Sequence, residues 1–120
     1  MNVKIYHNPR CSKSRQALHL LEDRFSKIQI IKYLDERLSV AELISLVNKL
    51  NISPIELVRK NEKIWKDLFK GKPLTDQQVI EAMQQYPKLI ERPIVLIEDQ
   101  SLIARPIEKL TVLIEKIAKD

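Results

Sequence analysis

The chain has 120 residues, of which 44% are hydrophobic and 31% are charged, and these values are typical of one folded globular domain. Its single cysteine excludes an intrachain disulfide, and with only two histidines it cannot supply a tetrahedral structural zinc site, so we expect no metal. The sequence contains no signal-peptide core and no long apolar span, so we expect a cytoplasmic protein with no membrane partner.

The net charge is +5, with 21 lysines and arginines against 16 acidic residues. A positive balance can indicate nucleic-acid binding. Acidic and basic residues are interspersed after Glu22, however, and aromatic residues make up only 5% of the chain. We therefore do not expect a nucleic-acid partner, because a basic loop for a small anionic substrate explains the charge at least as well.

The first third of the chain alternates between short apolar runs and a helical pattern. A strand is predicted at Val3–Tyr6, a helix over 14–25 and a second strand over 28–33. This order favours a βαβ unit, in which the two strands are parallel and the crossover is right-handed.

The middle of the chain is predicted to be helical. Three capping boxes mark the starts of helices, and they begin at Ser39, Ser53 and Thr75. A further short helix is predicted over 61–69, with the only glycine, Gly71, placed to end it.

Near the end of the chain the pattern returns to β structure. Residues 94–97 and 101–104 predict a hairpin, and Pro106 opens a final helix. The arrangement βαβ, helices, ββα is that of an α/β protein with a thioredoxin-like core and a mixed four-stranded sheet. We expect a single domain whose core covers about 1–36 and 87–120, with a helical insertion over about 37–86.

The loop after the first predicted strand carries the only cysteine, Cys11. No acidic residue precedes Glu22, so the loop is strongly basic. Cationic neighbours and a helix N-terminus both favour the thiolate, which is the nucleophilic form of the side chain. We therefore predict that Cys11 is the nucleophile of a one-thiol enzyme. The loop residues predicted to support the thiolate or a bound anion are His7, Arg10, Ser12, Lys13, Ser14 and Arg15.

Spacing argues against three other uses of a reactive cysteine. A phosphatase-type loop needs an arginine six residues after the cysteine, where this chain has Ala17. A dithiol oxidoreductase needs a second cysteine at the position of Ser14. A cysteine protease needs a histidine base with an orienting partner, and only His7 and His19 are available.

Three arginines lie at predicted element boundaries, and they are Arg59, Arg92 and Arg105. Two of them directly precede a proline, which favours extended backbone geometry. Guanidinium groups bind tetrahedral oxyanions through two parallel hydrogen bonds and stay charged at any relevant pH. Any one arginine alone is more often an ordinary surface residue, so the three count only together with the cysteine.

Four segments in order resemble one protein family: the loop over 7–15, the Arg59-Lys60-Asn61 segment, the segment over 91–95 and Arg105-Pro106. They resemble the thioredoxin-fold arsenate reductases that use glutathione and glutaredoxin. The match is collinear over essentially the whole chain. It is closest to short bacterial members with the loop Asn-Pro-Arg-Cys-Ser-Lys-Ser-Arg, whereas better-studied members have Ala-Cys-Gly-Thr-Ser there.

The resemblance implies a role for each matching position. Cys11 matches the nucleophile that attacks arsenate, and His7 and Ser14 match loop positions that tune its thiolate. Pro93 matches a proline that is cis in thioredoxin-like folds. The arginines that match the ligands of the oxyanion are Arg59, Arg92 and Arg105.

The resemblance also implies partners. Glutathione, a co-substrate rather than a bound cofactor, attacks the adduct between Cys11 and arsenate. Glutaredoxin then resolves the mixed species, and arsenite is released. A lone cysteine agrees with this scheme, because the resolving thiols come from other molecules.

Other hypotheses remain open at this point. The cations at Arg10 and Lys13 would either strengthen anion binding or mark a subfamily with another substrate. Transcription regulators that bind RNA polymerase share the fold, although they commonly carry a Cys-x-x-Cys switch that Ser14 interrupts here. A glutathione-linked thiol transferase acting on another substrate is the third hypothesis.

Overall fold

The computed structural model of the chain describes residues 1–119, with side chains up to residue 118, and contains one mixed sheet of four strands. The strands are β1 Val3–Tyr6, β2 Gln29–Ile31, β3 Ile94–Ile97 and β4 Gln100–Ile103. They lie in the order β2-β1-β3-β4, with β1 parallel to β2 and antiparallel to β3, and β3 antiparallel to β4. The predicted α/β fold with a mixed four-stranded sheet is confirmed.

Helices make up most of the remaining regular structure. Their bounds are α1 Ser12–Glu22, α2 Val40–Leu50, α3 Lys63–Leu68, α4 Asp76–Gln85 and α5 Glu108–Lys119. Short 3-10 turns are formed by Pro54–Leu57 and Pro87–Leu89. No helix among residues 1–119 is both long enough and apolar enough to cross a membrane.

The chain divides into two compact units. One joins Met1–Tyr33 to the chain from Arg92 onward and contains the sheet, α1 and α5; we call it the sheet unit. The other is Leu34–Glu91 and contains α2, α3, α4 and both 3-10 turns; we call it the helical unit. That residues 37–86 form an insertion into a single domain stays a prediction.

The core of the sheet unit lies between one face of the sheet and the two helices. Side chains two apart on a strand share a face, so Val3 and Ile5 point the same way as their partners Ile97 and Val95. This face packs against the buried side of α1 and α5, including Ala17, Leu21, Leu110, Leu113 and Ile114. Because burying a leucine or isoleucine contributes about 1.5–3 kcal/mol, this packing holds α1, and with it the loop before it, against the sheet.

Two of the three predicted capping boxes start α-helices in the helical unit. The Glu42 N–H donates to Ser39 Oγ at the start of α2, and Gln78 N–H donates to Thr75 Oγ1 at the start of α4. The third box, at Ser53, starts only the 3-10 turn Pro54–Leu57. It stops there because Val58 takes an extended conformation and forms a β-bridge with Ile90.

Three helix starts differ from the prediction, and one of them is α3, which begins at Lys63 rather than at residue 61. The first helix begins at Ser12 rather than at residue 14, because Cys11 itself is the N-cap residue. The last helix begins at Glu108, although Pro106 was predicted to open it. Gly71 has a φ of 81°, a left-handed conformation that glycine adopts without steric cost, and it lies just after α3 as expected.

Candidate active site

Cys11 occupies the N-cap position of α1. Its backbone is extended, with φ −97° and ψ 122°, and its carbonyl accepts the first helical hydrogen bond, from Arg15 N–H over 3.0 Å. An N-cap residue is usually Ser, Thr, Asp or Asn, whose side-chain oxygen satisfies the free amides of the first turn. The half-buried thiol of Cys11 makes no such capping bond. The positive end of the helix dipole is therefore directed towards the cysteine, where it favours a negative charge.

Short-range hydrogen bonds close the loop between β1 and α1. Asn8 Oδ1 accepts from the Arg10 N–H over 3.0 Å, and the Asn8 carbonyl accepts from the Cys11 N–H over 3.0 Å. Pro9 between them fixes its own φ and has no N–H to satisfy. The Arg15 Nη1 reaches back and donates to the Pro9 carbonyl over 2.9 Å. These bonds explain why a loop without glycine holds one compact shape.

His7 and Ser14 form a buried pair beneath the loop. His7 Nδ1 lies 2.6 Å from Ser14 Oγ, and the Asn8 N–H donates to the same Oγ over 3.0 Å. Both side chains are buried. The sequence named both residues as supports of the thiolate, and the structure brings the two of them together.

Burial lowers the pKa of His7, and the positive charges of Lys32 and Arg15 lower this pKa further, while Glu22 acts in the opposite direction. The imidazole is therefore neutral at neutral pH. A neutral imidazole either donates from Nδ1 to the serine or accepts the serine hydroxyl. In the first case the Ser14 hydroxyl keeps its own proton available for a nearby anion.

The other loop residues that were predicted to support the thiolate or an anion lie close to Cys11 in sequence. Ser12 and Lys13 are the first two residues of α1, and both are exposed. Arg10 is exposed as well, and Arg15 is exposed although its guanidinium is held by the Pro9 carbonyl. Their role towards a thiolate or an anion stays a prediction.

Strand register brings three chain segments to one end of the sheet. Tyr6, the last residue of β1, lies opposite Ile94, the first residue of β3. Ile94 in turn lies opposite Ile103, the last residue of β4. Because the Cys11 loop follows directly after Tyr6, it leaves the sheet at the end where β3 starts and β4 stops.

Arg92 and Arg105 flank this same end of the sheet. The Ala104 N–H donates to the Pro93 carbonyl over 2.9 Å, so the pairing of β3 and β4 continues one residue beyond the strands. Arg92 precedes Pro93 and Arg105 follows Ala104. The two arginines therefore belong to adjacent backbone segments, at the end of the sheet from which the Cys11 loop starts.

Arg92 contains a buried donor without a partner. Its Nε has no hydrogen-bond partner among the residues that the structure describes. A buried donor left unsatisfied costs about 1–3 kcal/mol, so an N–H of this kind is well suited to binding an anion. The peptide bond from Arg92 to Pro93 is cis, and so is the one from Arg105 to Pro106, which was not predicted from the sequence.

The third named arginine, Arg59, belongs to the helical unit. Its Nη1 donates to Glu62 Oε1 over 2.8 Å, and its Nε lies 3.8 Å from Glu91 Oε1. Neither carboxylate is among the site residues predicted from the sequence. Glu62 follows Arg59 by three residues, a spacing at which ion pairs are common. Glu91 had no local signal, because only the pairing of distant segments brings it to Arg59.

No group of three or more His, Cys, Asp or Glu side chains within residues 1–118 is placed to hold a metal ion. The arrangement combines one thiol at a helix N-terminus with two arginines that flank the same end of the sheet. A thiolate can attack an electrophilic centre, and guanidinium groups can stabilise negative charge on the oxygens around that centre.

Comparison with known proteins gives consistent results. The model of the ArsC family matches residues 6–113. The "Arsenate reductase" of Neisseria meningitidis serogroup A is 39% identical over 110 residues, which cover 90% of this chain and 94% of that protein. The Escherichia coli K12 protein named "Uncharacterized protein YfgD" is 41% identical over 110 residues, which cover 90% of this chain and 92% of that protein.

A solved structure gives the same result for the fold. The "Arsenate reductase from Vibrio cholerae" has a TM-score of 0.86 and 44% sequence identity to this chain, and the match covers 91% of this chain and 94% of that one. The thioredoxin-like fold predicted from the order of elements, and the family recognised from the cysteine loop and the arginine segments, are both confirmed. Because the family model spans nearly all of the sequence and relatives at about two-fifths identity cover nine-tenths of it, the chain belongs to the ArsC family.

Proposed function

We propose that this chain is an arsenate reductase in which Cys11 is the nucleophile. The observation that carries the proposal is the common position of the Cys11 loop, Arg92 and Arg105 at one end of the sheet. Arsenate is a tetrahedral oxyanion, and a thiolate flanked by guanidinium donors is suited to attack one. Relatives that carry the name arsenate reductase support the same substrate.

The reaction begins at the sulfur. The Cys11 thiolate forms a bond to the arsenic of arsenate, and one arsenate oxygen leaves as water after taking up protons. The product is a thiol adduct in which arsenic is still As(V). The N-terminal end of α1 stabilises the thiolate before the attack, and Arg92 and Arg105 stabilise the oxyanion during it.

Two electrons are then needed to convert As(V) into As(III). The thiol of glutathione first replaces a second oxygen on arsenic, and that oxygen leaves as water. A thiol of glutaredoxin then attacks the glutathione sulfur, the electron pair of the arsenic–sulfur bond stays on arsenic, and the two thiols leave as a mixed disulfide. Water hydrolyses the remaining bond between As(III) and the Cys11 sulfur, so arsenite leaves and Cys11 is regenerated as a thiol. External thiols are required because Cys11 is the only cysteine of the chain. A reducing cytoplasm would supply both thiols, and no bound cofactor takes part.

The remaining named residues act on the anion or on the loop. Arg59 is proposed as a further ligand of the oxyanion, as the family resemblance implies. The neutral His7 orients the Ser14 hydroxyl, and the hydrogen bonds of this hydroxyl hold the loop. The cations proposed to attract the anion are Arg10, Lys13 and Arg15, and Ser12 is proposed to donate a hydrogen bond from its hydroxyl.

The test is arsenite formation from arsenate, measured with glutathione and glutaredoxin together and with each left out in turn. The proposal requires activity with both thiols and loss of turnover when either is omitted. Activity that persists without glutaredoxin would disprove the coupling while leaving the reductase in place. A parallel reaction with a glutathione mixed disulfide as substrate examines the thiol-transferase hypothesis, and faster turnover there than with arsenate would favour that hypothesis.

A further inference from the structure

The guanidinium of Arg59 lies between two carboxylates of the helical unit. Glu62 accepts a hydrogen bond from Nη1 at 2.8 Å, and a Glu91 oxygen lies 3.8 Å from Nε. The three side chains are only partly accessible, with 18% of Arg59, 28% of Glu62 and 24% of Glu91 exposed. The Arg59 guanidinium therefore has a carboxylate close to two of its nitrogens, Nη1 and Nε.

The backbone fixes this arrangement. Arg59 N–H donates to the Leu89 carbonyl over 2.7 Å, and Glu91 N–H donates to the Leu57 carbonyl over 2.8 Å. These two bonds pair the segments around residues 58 and 90 and place Arg59 beside Glu91. On the other side, Glu62 N–H donates to the Arg59 carbonyl over 3.1 Å, which keeps the Glu62 side chain within reach of the guanidinium.

Any anion that binds Arg59 therefore comes close to carboxylate oxygens. An ionised carboxylate can only accept hydrogen bonds. A fully ionised oxyanion such as sulfate has no proton to offer, so its oxygens and those of Glu62 would face each other with repulsion only. An oxyanion that keeps one proton, such as hydrogen arsenate or hydrogen phosphate, can accept from the guanidinium and donate its O–H to the carboxylate. A site built to bind a substrate O–H rejects an analogue that lacks it.

We propose that Arg59 and Glu62, with Glu91 beside them, select tetrahedral oxyanions that carry a proton and discriminate against sulfate. This inference rests on the proposed function, because that function assigns Arg59 to oxyanion binding. Glu62 supplies the acceptor for the O–H, since one of its oxygens bonds Nη1 and a carboxylate has further lone pairs to offer. Glu91 holds the Nε side of the guanidinium and adds to the repulsion of a fully ionised anion.

The test measures anion binding without turnover. The protein is the full chain with Cys11→Ser, which removes the reacting thiol, and the probes are inorganic phosphate and sulfate at about pH 8, where phosphate is mainly a monoprotonated dianion. Both probes then carry the same charge and differ in the proton. Binding is followed by NMR through the guanidinium Nε–H signal of Arg59, which Arg59→Lys identifies. We expect phosphate to bind about tenfold more tightly than sulfate, as one additional hydrogen bond predicts.

The deciding variant is Glu62→Gln, whose amide can donate to sulfate, and it should bring the ratio of the two dissociation constants close to one. Asp67→Asn is the matched control, because it removes one negative charge from an exposed ion pair with Lys63 on α3. It should keep the tenfold ratio. The inference would be overturned by a ratio near one before the Glu62 change or by an unchanged ratio after it. It would also be overturned if the Arg59 signal responded to neither anion.

The two proposals fail in different ways. If the wild-type chain makes no arsenite but Glu62→Gln abolishes the preference for phosphate, the anion selection stands and the reductase proposal falls. If arsenite is made but the preference is absent, only the selection by Glu62 falls. If the ion pair between Arg59 and Glu62 were only structural, Glu62→Gln would change the binding of phosphate and sulfate equally. The ratio of their dissociation constants would then stay as it was.

Discussion

The backbone N–H of Ala104 donates to the carbonyl of Pro93 over 2.9 Å, and this bond fixes the relation between the two arginines on either side of the hairpin. Arg92 and Arg105 are far apart in sequence from Cys11, yet the register of β1 with β3 puts the cysteine loop at the same end of the sheet. The candidate site of the sheet unit is therefore a product of strand pairing rather than of a continuous motif.

Loss of either arginine should weaken the use of arsenate. A hydrogen bond to a charged group contributes about 1.5–3 kcal/mol, so Arg92→Ala and Arg105→Ala should each lower kcat/KM for arsenite formation by about tenfold to a hundredfold. Arg24→Ala is the matched control, because Arg24 is exposed just beyond α1 and the charge change is the same. Variants of Arg92 and Arg105 that behave like Arg24→Ala would show that these arginines do not bind the oxyanion.

The hydroxyl of Ser14 should be needed for stability. Ser14→Ala removes the acceptor of the Asn8 N–H and the partner of His7 Nδ1, and both groups are buried. The free energy of unfolding, measured by urea denaturation, should fall by about 1–3 kcal/mol. Ser26→Ala changes an exposed serine and should stay within about 0.5 kcal/mol of the wild type. Equal effects of the two substitutions would contradict the buried hydrogen-bond pair.

Acidification should destabilise the chain through His7. Burial lowers the pKa of His7 from its ordinary value of 6.5. At pH values between the folded pKa and 6.5, the unfolded chain therefore binds more protons than the folded one. Stability then rises with pH: the His7 contribution is complete above 6.5 and is lost as the pH falls from 6.5 towards the folded pKa. An NMR titration of the His7 ring should show a midpoint below 6.5. A midpoint at or above that value would refute the assignment of a neutral, buried imidazole.

The capping box at Ser39 should stabilise the helical unit. Ser39→Ala removes the oxygen that accepts from Glu42 N–H, and it should lower the free energy of unfolding by about 0.5–2 kcal/mol. Ser45→Ala provides a control on the same helix, because Ser45 is exposed in the middle of α2 and alanine is the better helix former. Denaturation of the two variants under identical conditions separates the cap from a general effect of removing a serine.

Local patterns predicted much of the fold. Val3–Tyr6 and Ile94–Ile97 are apolar runs bounded by polar or turn residues, and both are strands with the predicted bounds. The start of α1 was missed because cysteine is not a usual N-cap residue. The helix predicted at Ser53 is only a 3-10 turn, because Val58 leaves helical geometry to pair with Ile90, and no local pattern reports such a distant partner.

Residue type alone singled out the candidate site residues, whose roles stay predictions, but it predicted few of the contacts between them. The cysteine loop, Arg92 and Arg105 carry chemistry that can be recognised from residue type, while their arrangement at one end of the sheet depends on the pairing of Tyr6 with Ile94. The carboxylates beside Arg59 show the same limit. Glu62 is near in sequence, but Glu91 reaches Arg59 only through the pairing of two segments of the helical unit.

The most direct test of the central claim is the rate of arsenite formation by the wild type and by Cys11→Ser, with arsenate, glutathione and glutaredoxin supplied to both. Circular dichroism of the variant checks that the fold is intact. If Cys11 is the nucleophile, the serine variant should form arsenite no faster than the same mixture without protein, because a serine hydroxyl cannot form the thiol adduct. Equal rates for the two proteins would contradict the account.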